Sequence, residues 1–575
     1  MPAVLPIAVA ALLLTLAGRL HRRLPDLVAI ATAAAVMVIA ALLARGSVAA
    51  PIAYWFGGWV PHGAQVLGVG FVVDPVGAAV AAFAALLFAL TFVFAWGFFA
   101  DTGTRFHVLA LVFLGAIEGF SLTHDLFNLF VWFELMSVAA FALTAYALNI
   151  SALEGALGFT VVNTLGSFFM LGGTGLIYAR VGALDFAALA RGVAPAGDDP
   201  VVLAAFCLIA MAMLIKGAIV PLHFWLADAH AVAPSPVSVI FSSIMVPLGL
   251  FGLARLLFAV FAASPAVQGV AHGMLVDLGA LTAVVGGVMC ILQRHVKRLL
   301  AFSTIAHMGV LVVGIASLSA SGIAGSLAYL IGQGLVKGAL FMVAGIMLAL
   351  LGGVDEIRLR GAGRAIWPVG LACAIGGLLL GGAPLGVMDA GASLIDDAQA
   401  HHEILRTALA VGTGLTGAAV LRLAGRVFAG LGAHPGVERD GPTEEEREPA
   451  QRPLWLMFAP LLVMLGLALV PAHWAARWAA IAAGGFLLAS GGTATIPHLP
   501  PTADVGAWTS LAIACGFAAF ALLRHRAPHG LRAVLETASW PVSGLLLRIH
   551  SGIVGDYVAW VVAGLAVLAA GFALR

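Results

Sequence analysis

The sequence predicts an all-α membrane protein with roughly 14–17 transmembrane helices. Three observations support this. Of the 575 residues, 62% are hydrophobic and only 10% are charged, whereas a water-soluble domain carries roughly 25% charged residues. The mean hydropathy is +1.08. Apolar runs of about 20 residues, each long enough to cross roughly 30 Å of hydrocarbon, recur along the chain. They are continuous and do not alternate with polar residues, which favours helices over barrel strands.

Taken in order, the first spans are 3–20, 27–45 and 72–98, forming an N-terminal helical region over residues 1–105. The N-terminus "MPAVLPIAVAALLL" has no basic n-region or cleavage site and reads as a retained helix. Next come 106–122, 124–147, 156–179, 201–226 and 235–261, then 270–292, 300–316, 322–350, 366–395 and 405–430. Residues 432–453, "GAHPGVERDGPTEEEREPAQRP", form a flexible polar loop, with a docking site as the weaker alternative. The region 454–575 holds spans at 454–471, 474–491, 505–523 and 555–574. Between the last two, 531–549 mixes charges with Trp540 and Pro541 and suits a helix lying along the membrane surface.

Loop charges set the orientation. Arg19, Arg22 and Arg23 follow the first span, Arg294, Lys297 and Arg298 the ninth, and Arg358, Arg360 and Arg364 the eleventh. All lie on one side, which the positive-inside rule assigns to the cytoplasm. The uncharged stretch 46–71 falls on the other side. The net charge of +1 says nothing about partners, and no basic tract points to nucleic acid. Cys207, Cys290, Cys373 and Cys515 all lie in apolar runs without a CxxC pair and read as small core residues. With no Rossmann fingerprint, no cluster-binding cysteines and no His pair sharing an i, i+4 face with a carboxylate, no cofactor or metal is expected.

Ionisable residues inside spans cost roughly 2.5–3.5 kcal/mol on insertion scales and usually mark a pathway. Glu134 lies nine residues after Asp125, about 13 Å deeper along a helix, and so near the midplane. Lys216 follows fifteen apolar residues, and Gly217 and Pro221 come directly after it. Proline removes a donor and clashes with the preceding turn, so the helix should break there and admit water. A carboxylate approaching or leaving this lysine would load or empty it of a proton. The plainer alternative is a static Glu–Lys pair joining two helices. His223 and His230 flank the cytoplasmic end of the same span. His307 sits beside Ser303 and Thr304, and Lys337 lies in "GQGLVKGALFMVAG". One histidine in a helix is usually structural, but a series across several spans suggests a proton wire.

"LTHDLFNLFVWFE", "KGAIVPLHFWLADAHAVAPSPVS" and "QRHVKRLLAFSTIAHMG" resemble the proton-pumping antiporter-like subunits. These comprise Mrp-type cation/proton antiporters, the distal membrane subunits of respiratory complex I and membrane-bound hydrogenases. Residues 54–78 and "DLFNLFVWFE" are most similar to the D-type component of the Mrp antiporters, and the resemblance covers about 50–430. It implies two inverted five-helix repeats, 106–261 and 270–430, with helix breaks at Pro221 and Pro384. It also implies a Glu134–Lys216 pair and a relay through His307 and Lys337. Asp125, His223, His230, Ser303 and Gln333 are read from the sequence as supporting the proton path. Three positions depart from the pattern. Pro247 occupies the eighth span, where the family has an ionisable residue. Gln333 replaces a histidine four residues before Lys337, and Gly391 falls where the twelfth span usually has a lysine or glutamate. Asp389 is a substitute on a different helix face.

The expected function is proton translocation within a multi-subunit monovalent cation/proton antiporter. Its partners would be other membrane subunits, protons, Na⁺ and the lipid of the cell inner (plasma) membrane. One alternative is a pumping subunit of an NADH:quinone oxidoreductase or membrane-bound hydrogenase. Another is a structural or energising subunit without a complete proton path.

Overall fold

In hydrocarbon a backbone must satisfy its own polar groups, and a helix does so within a single segment. The computed structural model describes residues 1–16, 23–61, 68–99, 103–196, 199–400, 402–432, 454–492, 505–523 and 554–573, with residues 21, 66 and 525. Arg19, Arg22, the polar loop from 433 on and the surface-helix candidate 531–549 lie outside the described residues. Among those described, 12 helices are long and apolar enough to cross a membrane, and a bent pair makes 13.

Helices α1 (Val4–Thr15) and α2 (Leu24–Gly46) come first. A short antiparallel sheet then interrupts the all-helical pattern within the uncharged stretch. It pairs β1 (Ile52–Trp55) with β2 (Gly70–Val73), Ile52 opposite Val73. Helices α3 (Pro75–Phe98), α4 (Gly103–Leu122), α5 (Leu126–Thr144) and α6 (Ile150–Val181) follow. After the short α7 (Phe186–Val193), the seventh span divides into α8 (Pro200–Lys216) and α9 (Phe224–Val232). The eighth comprises α10 (Ser235–Ile240), a π-turn at Phe241–Met245 and α11 (Val246–Ala259).

The second half runs through α12 (Pro265–Leu292), α13 (Val296–Ala316) and α14 (Ala320–Leu351). The twelfth span again divides, into α15 (Trp367–Leu380) and α16 (Gly386–Ala398), and α17 (Glu403–Val427) follows. Helices α18 (Leu454–Ala468) and α19 (Ala472–Ala489), read from the sequence as separate spans, form the pair bent by 77°. Last are α20 (Val505–Leu523) and α21 (Val554–Ala573).

One bridge occurs twice. The Leu126 amide bonds the Leu184 carbonyl and the Phe186 amide that of His124, at 2.9 and 3.0 Å. The Val296 amide bonds the Val354 carbonyl and the Glu356 amide that of Arg294, at 2.8 and 3.1 Å. Each position in the second set lies 170 residues after its counterpart, Leu126 to Val296 and Leu184 to Val354. Each bridge ties the entrance of a core helix to the segment after the next one. Asp125 caps α5 by accepting from the Asn128 amide at 2.7 Å. In the equivalent place His295 caps α13, its Nδ1 accepting from the Arg298 amide at 3.4 Å. Burial, with Lys297 and Arg298 alongside, pushes the His295 imidazole down to about 3, so the ring stays neutral and able to accept.

The core encloses the polar helices. Ser235–Ala259 and Val296–Ala316 are buried along their whole apolar windows, whereas α2 presents most of its surface outward. Helix α14 packs tightly through small residues. A Cβ at Gly332 would fall 2.4 Å from the Met388 amide of α16, and one at Gly334 2.6 Å from the Ser243 carbonyl. Small residues allow this close approach between membrane helices.

Asp74 caps α3 through the Gly77 amide at 2.8 Å and pairs with Arg255 of α11, both side chains buried. Arg255 also donates to the Thr123 carbonyl at 2.8 Å. We expect Arg255→Ala to strand the Asp74 carboxylate and cost about 3–5 kcal/mol, lowering the thermal midpoint of the purified protein. Arg180→Ala, which breaks the solvent-facing pair with Asp199 at 2.5 Å, should leave the midpoint in place.

Candidate functional site

Helix α8 ends at Lys216, and the chain leaves the helical path through Ala218, whose φ is +51°. Pro221 lies in the gap before α9. Neighbouring helices hold the break. Trp225 donates from Nε1 to the Ile215 carbonyl at 3.0 Å, and the Val220 amide donates to Thr282 of α12 at 3.1 Å. Backbone groups freed by the break are thus bonded to protein, as a broken membrane helix requires.

Lys216 is fully buried. Its ammonium donates to the Ser137 hydroxyl at 2.7 Å and lies 4.4 Å from the centre of the Phe133 ring. Phe133 and Ser137 are one turn apart on α5, so they share a face. Glu134 sits on the flank of that face, within electrostatic reach of Lys216 but not in direct ion-pair contact. Its buried Oε1 has no hydrogen-bond partner. The Glu–Lys contact inferred from the sequence is therefore replaced here by a hydroxyl contact, with the carboxylate alongside.

Hydroxyls continue inward. Ser242, in the π-turn, bonds Thr304 of α13 at 2.6 Å. Lys337 of α14, fully buried, donates to the Ser303 hydroxyl. His230 stacks on Phe341 at 4.7 Å, and neither ring nitrogen has a hydrogen-bond partner. Lys337 is within electrostatic reach of both His230 and His307. His223 stands just before α9 without a side-chain capping bond and packs against Phe224 at 4.4 Å. Gln333 donates to its own helix at Leu330 (3.4 Å), and its Oε1 is unpartnered. The buried hydroxyls of Ser235, Ser238 and Ser243 also lack partners.

His307 belongs to a third group. The Thr416 hydroxyl donates to the Thr413 carbonyl at 2.7 Å, so it accepts from the His307 Nε2–H at 3.1 Å. Nδ1 is then left to accept from the Tyr329 hydroxyl at 2.6 Å. Tyr329 and Asp389 line a cavity of about 80 Å³ beside the α15–α16 break, and the buried Oδ2 of Asp389 has no hydrogen-bond partner. Pro384 lies in that break. Among the described residues, Lys216, Lys337 and His307 thus form separate clusters with no direct hydrogen bond between them, while Asp125 stands at the entrance of α5, His223 before α9 and Asp389 at the second break.

Residues 123–397 match a family model described as NADH:quinone oxidoreductase/Mrp antiporter, TM. The matched segment is a little under half of the chain. In the antiporter family so matched, a Staphylococcus aureus protein named as antiporter subunit mnhD2 is 30% identical over 338 residues, 58% of this chain and 66% of its own length. The NADH-quinone oxidoreductase subunit N of Desulforudis audaxviator is 33% identical over 321 residues, 54% of this chain and 62% of its own length. The match thus spans a little under two thirds of either relative. Among solved structures, a chain of the Mrp complex from Dietzia sp. has a TM-score of 0.73 at 21% identity, covering 85% of this chain and 99% of that one. A chain of the membrane-bound sulfane sulfur reductase, an archaeal respiratory complex, has a TM-score of 0.74 at 23% identity, covering 84% and 97%. A chain of respiratory complex I from Thermus thermophilus has a TM-score of 0.63 at 24% identity, covering 82% and 97%. These likenesses establish a fold shared with chains of these three membrane complexes.

The structure explains two of the departures from the family pattern. Proline at 247 cannot donate to the carbonyl four residues back, and the π-turn just before it accommodates the defect while carrying Ser242 to Thr304. At Gly391 a Cβ would lie 2.3 Å from the Tyr329 amide, so α14 and α16 are too close for any side chain there.

Several residues of the site escaped the sequence reading. Ser137, Tyr329 and Thr416 are neutral and common in helices, so they carry no warning in the sequence. Glu118 is different. It is fully buried in α4 with both carboxylate oxygens unpartnered, and an ionisable residue inside a span should have revealed it.

Two substitutions test this geometry. Gly391→Lys, which restores the usual charge of the antiporter family, should separate α14 from α16 and abolish monodisperse protein in size-exclusion chromatography. Ser137→Ala should cost about 1.5–3 kcal/mol by removing the acceptor of a buried ammonium, read as a lower thermal midpoint that Ser137→Thr largely restores.

Proposed function

We propose that this chain is a proton-translocating membrane subunit of a multi-subunit monovalent cation/proton antiporter, equivalent to the D-type component of the Mrp complexes, in the cell's plasma membrane. One observation carries the reading: a seam of buried ionisable and hydroxyl groups runs from Glu134 and Lys216 through Ser242–Thr304 and Ser303–Lys337 to His307–Tyr329, within helices otherwise made of apolar residues. Protons load on Lys216, which exchanges between Ser137 and Glu134. Lysines hold a proton, whereas hydroxyls and Gln333 only pass one along. Water bridges the clusters, as unpartnered buried polar atoms demand. The repeats are 106–261 and 270–430, each with one broken helix, and the arginine-bearing loops face the cytoplasm.

Moving one charge through 100 mV takes about 2.3 kcal/mol, so flux needs a gradient or a redox partner. The likeness to an NADH-quinone oxidoreductase subunit favours a second reading, in which the same seam is driven by a redox complex. In both readings the chain's own work is the same.

The test is proton flux in vesicles containing the whole complex, followed with a pH-sensitive dye. Glu134→Gln and Lys216→Ala should each reduce flux to the level of empty vesicles. Normal flux in both would leave the chain a structural role.

A further inference from the structure

Helix α12 carries a carboxylate that faces away from the rest of the chain. Asp277 is exposed, and among the described residues it makes no hydrogen bond or ion pair. The helix has 28 residues, and Asp277 stands twelve residues after Pro265 and fifteen before Leu292. Such a helix is about 42 Å long, so a hydrocarbon layer of roughly 30 Å encloses Asp277 wherever it falls along that length. A charged side chain at this depth needs a protein interior, water or an opposite charge, and lipid tails offer none of them.

The surroundings of Asp277 fit another helix. Gly269, Gly273, Asp277 and Leu281 are four residues apart and share one face. A Cβ at Gly269 would meet nothing within 4 Å, so that glycine serves no packing inside this chain. Leu281 is 49% exposed. Beside this stripe a depression of about 760 Å³ opens between α12 and the start of α17, with Ala280, Leu405 and Ala408 in its apolar wall. His402 and Glu403 line it too, and neither pairs with Asp277. Glu403 lies in the first turn of α17, where the positive end of the helix suits a carboxylate. Asp277, in mid-helix, has no such support.

We propose that the outward face of α12, from Gly269 to Leu281, docks a membrane-spanning helix of another subunit that presents a lysine or arginine to Asp277. Small residues four apart let two membrane helices approach closely, and a basic side chain neutralises the carboxylate once the contact is sealed from water. A second copy of this chain fits less well, because a two-fold contact on this face would set Asp277 against Asp277. The inference rests on the proposed function only in taking the chain as one subunit of several.

The test places the photo-cross-linking residue p-benzoylphenylalanine at position 281 of the full-length chain, within the intact complex in its native lipid. The expected product joins this chain to another subunit, at a membrane-spanning segment that contains lysine or arginine, as mapped by mass spectrometry. Asp277→Asn should weaken assembly by about tenfold, read as lost adduct and as chain running free on native gels, whereas Asp277→Glu should retain both. The thermal midpoint of the purified chain alone should be the same with Asn or Asp at 277. Adducts only with lipid, with a second copy of this chain or with a segment lacking a basic residue would overturn the proposal. So would an adduct yield that Asp277→Asn leaves unchanged, or a lowered midpoint of the chain alone. The readout is contact and not flux, so a chain that docks without conducting protons, or conducts without docking, shows which of the two readings has failed.

Discussion

A lipid bilayer offers no water to a stranded donor or acceptor, and the architecture follows from that constraint. Helices satisfy their backbones internally, so most of the chain can be apolar and continuous. Wherever a polar side chain or a broken helix occurs, other helices must surround it. Ser235–Ala259, with buried Ser235, Ser238, Ser242 and Ser243, and Val296–Ala316, with buried Ser303, Thr304 and His307, are enclosed along their length. The break after Lys216 lies inside the bundle, and Trp225 and Thr282 bind the backbone that it exposes, whereas the break after Leu380 reaches the surface at Leu385.

The same constraint gives the polar seam its chemistry. A buried lysine is tolerable only with an acceptor, and Ser137 and Ser303 supply one each. These hydroxyls bond the ammonium without fixing its charge, unlike a direct carboxylate pair. Glu134 beside Lys216 provides a second, charged position within reach. A lysine that can choose between a neutral and a charged neighbour can change its proton affinity by moving. A lysine locked in an ion pair cannot. The hydroxyl contact in this structure therefore suits a carrier better than the static pair that a Glu and a Lys in the sequence first suggest.

Much of this was legible in the sequence, for identifiable reasons. Long apolar runs have few alternatives to helices, and Pro221 announces a break because proline cannot continue a hydrogen-bond ladder, whereas the break at Pro384 was implied by the family resemblance alone. Glu134, Lys216, His307 and Lys337 stand out because ionisable groups are costly in lipid. Contacts were less legible. Asp74 and Arg255 are 181 residues apart, and nothing local in either predicts their pairing. Tyr329 and Thr416 look like ordinary helix residues until α13, α14 and α17 bring them to His307. Gly391 reads as a missing charge, although its reason is steric. The β1–β2 sheet was hidden because four-residue strands resemble any apolar loop.

Central to the account is that partnerless buried polar atoms between Lys216 and His307 are joined by water. The most direct test is an electron cryo-microscopy map of the intact complex in a lipid bilayer, at a resolution that shows ordered water. The account predicts a file of waters from Lys216 past Ser242 and Thr304 to Lys337 and on to His307, touching Gln333 Oε1 and the free serine hydroxyls. Dry, close-packed side chains between Lys216 and Lys337 would contradict it.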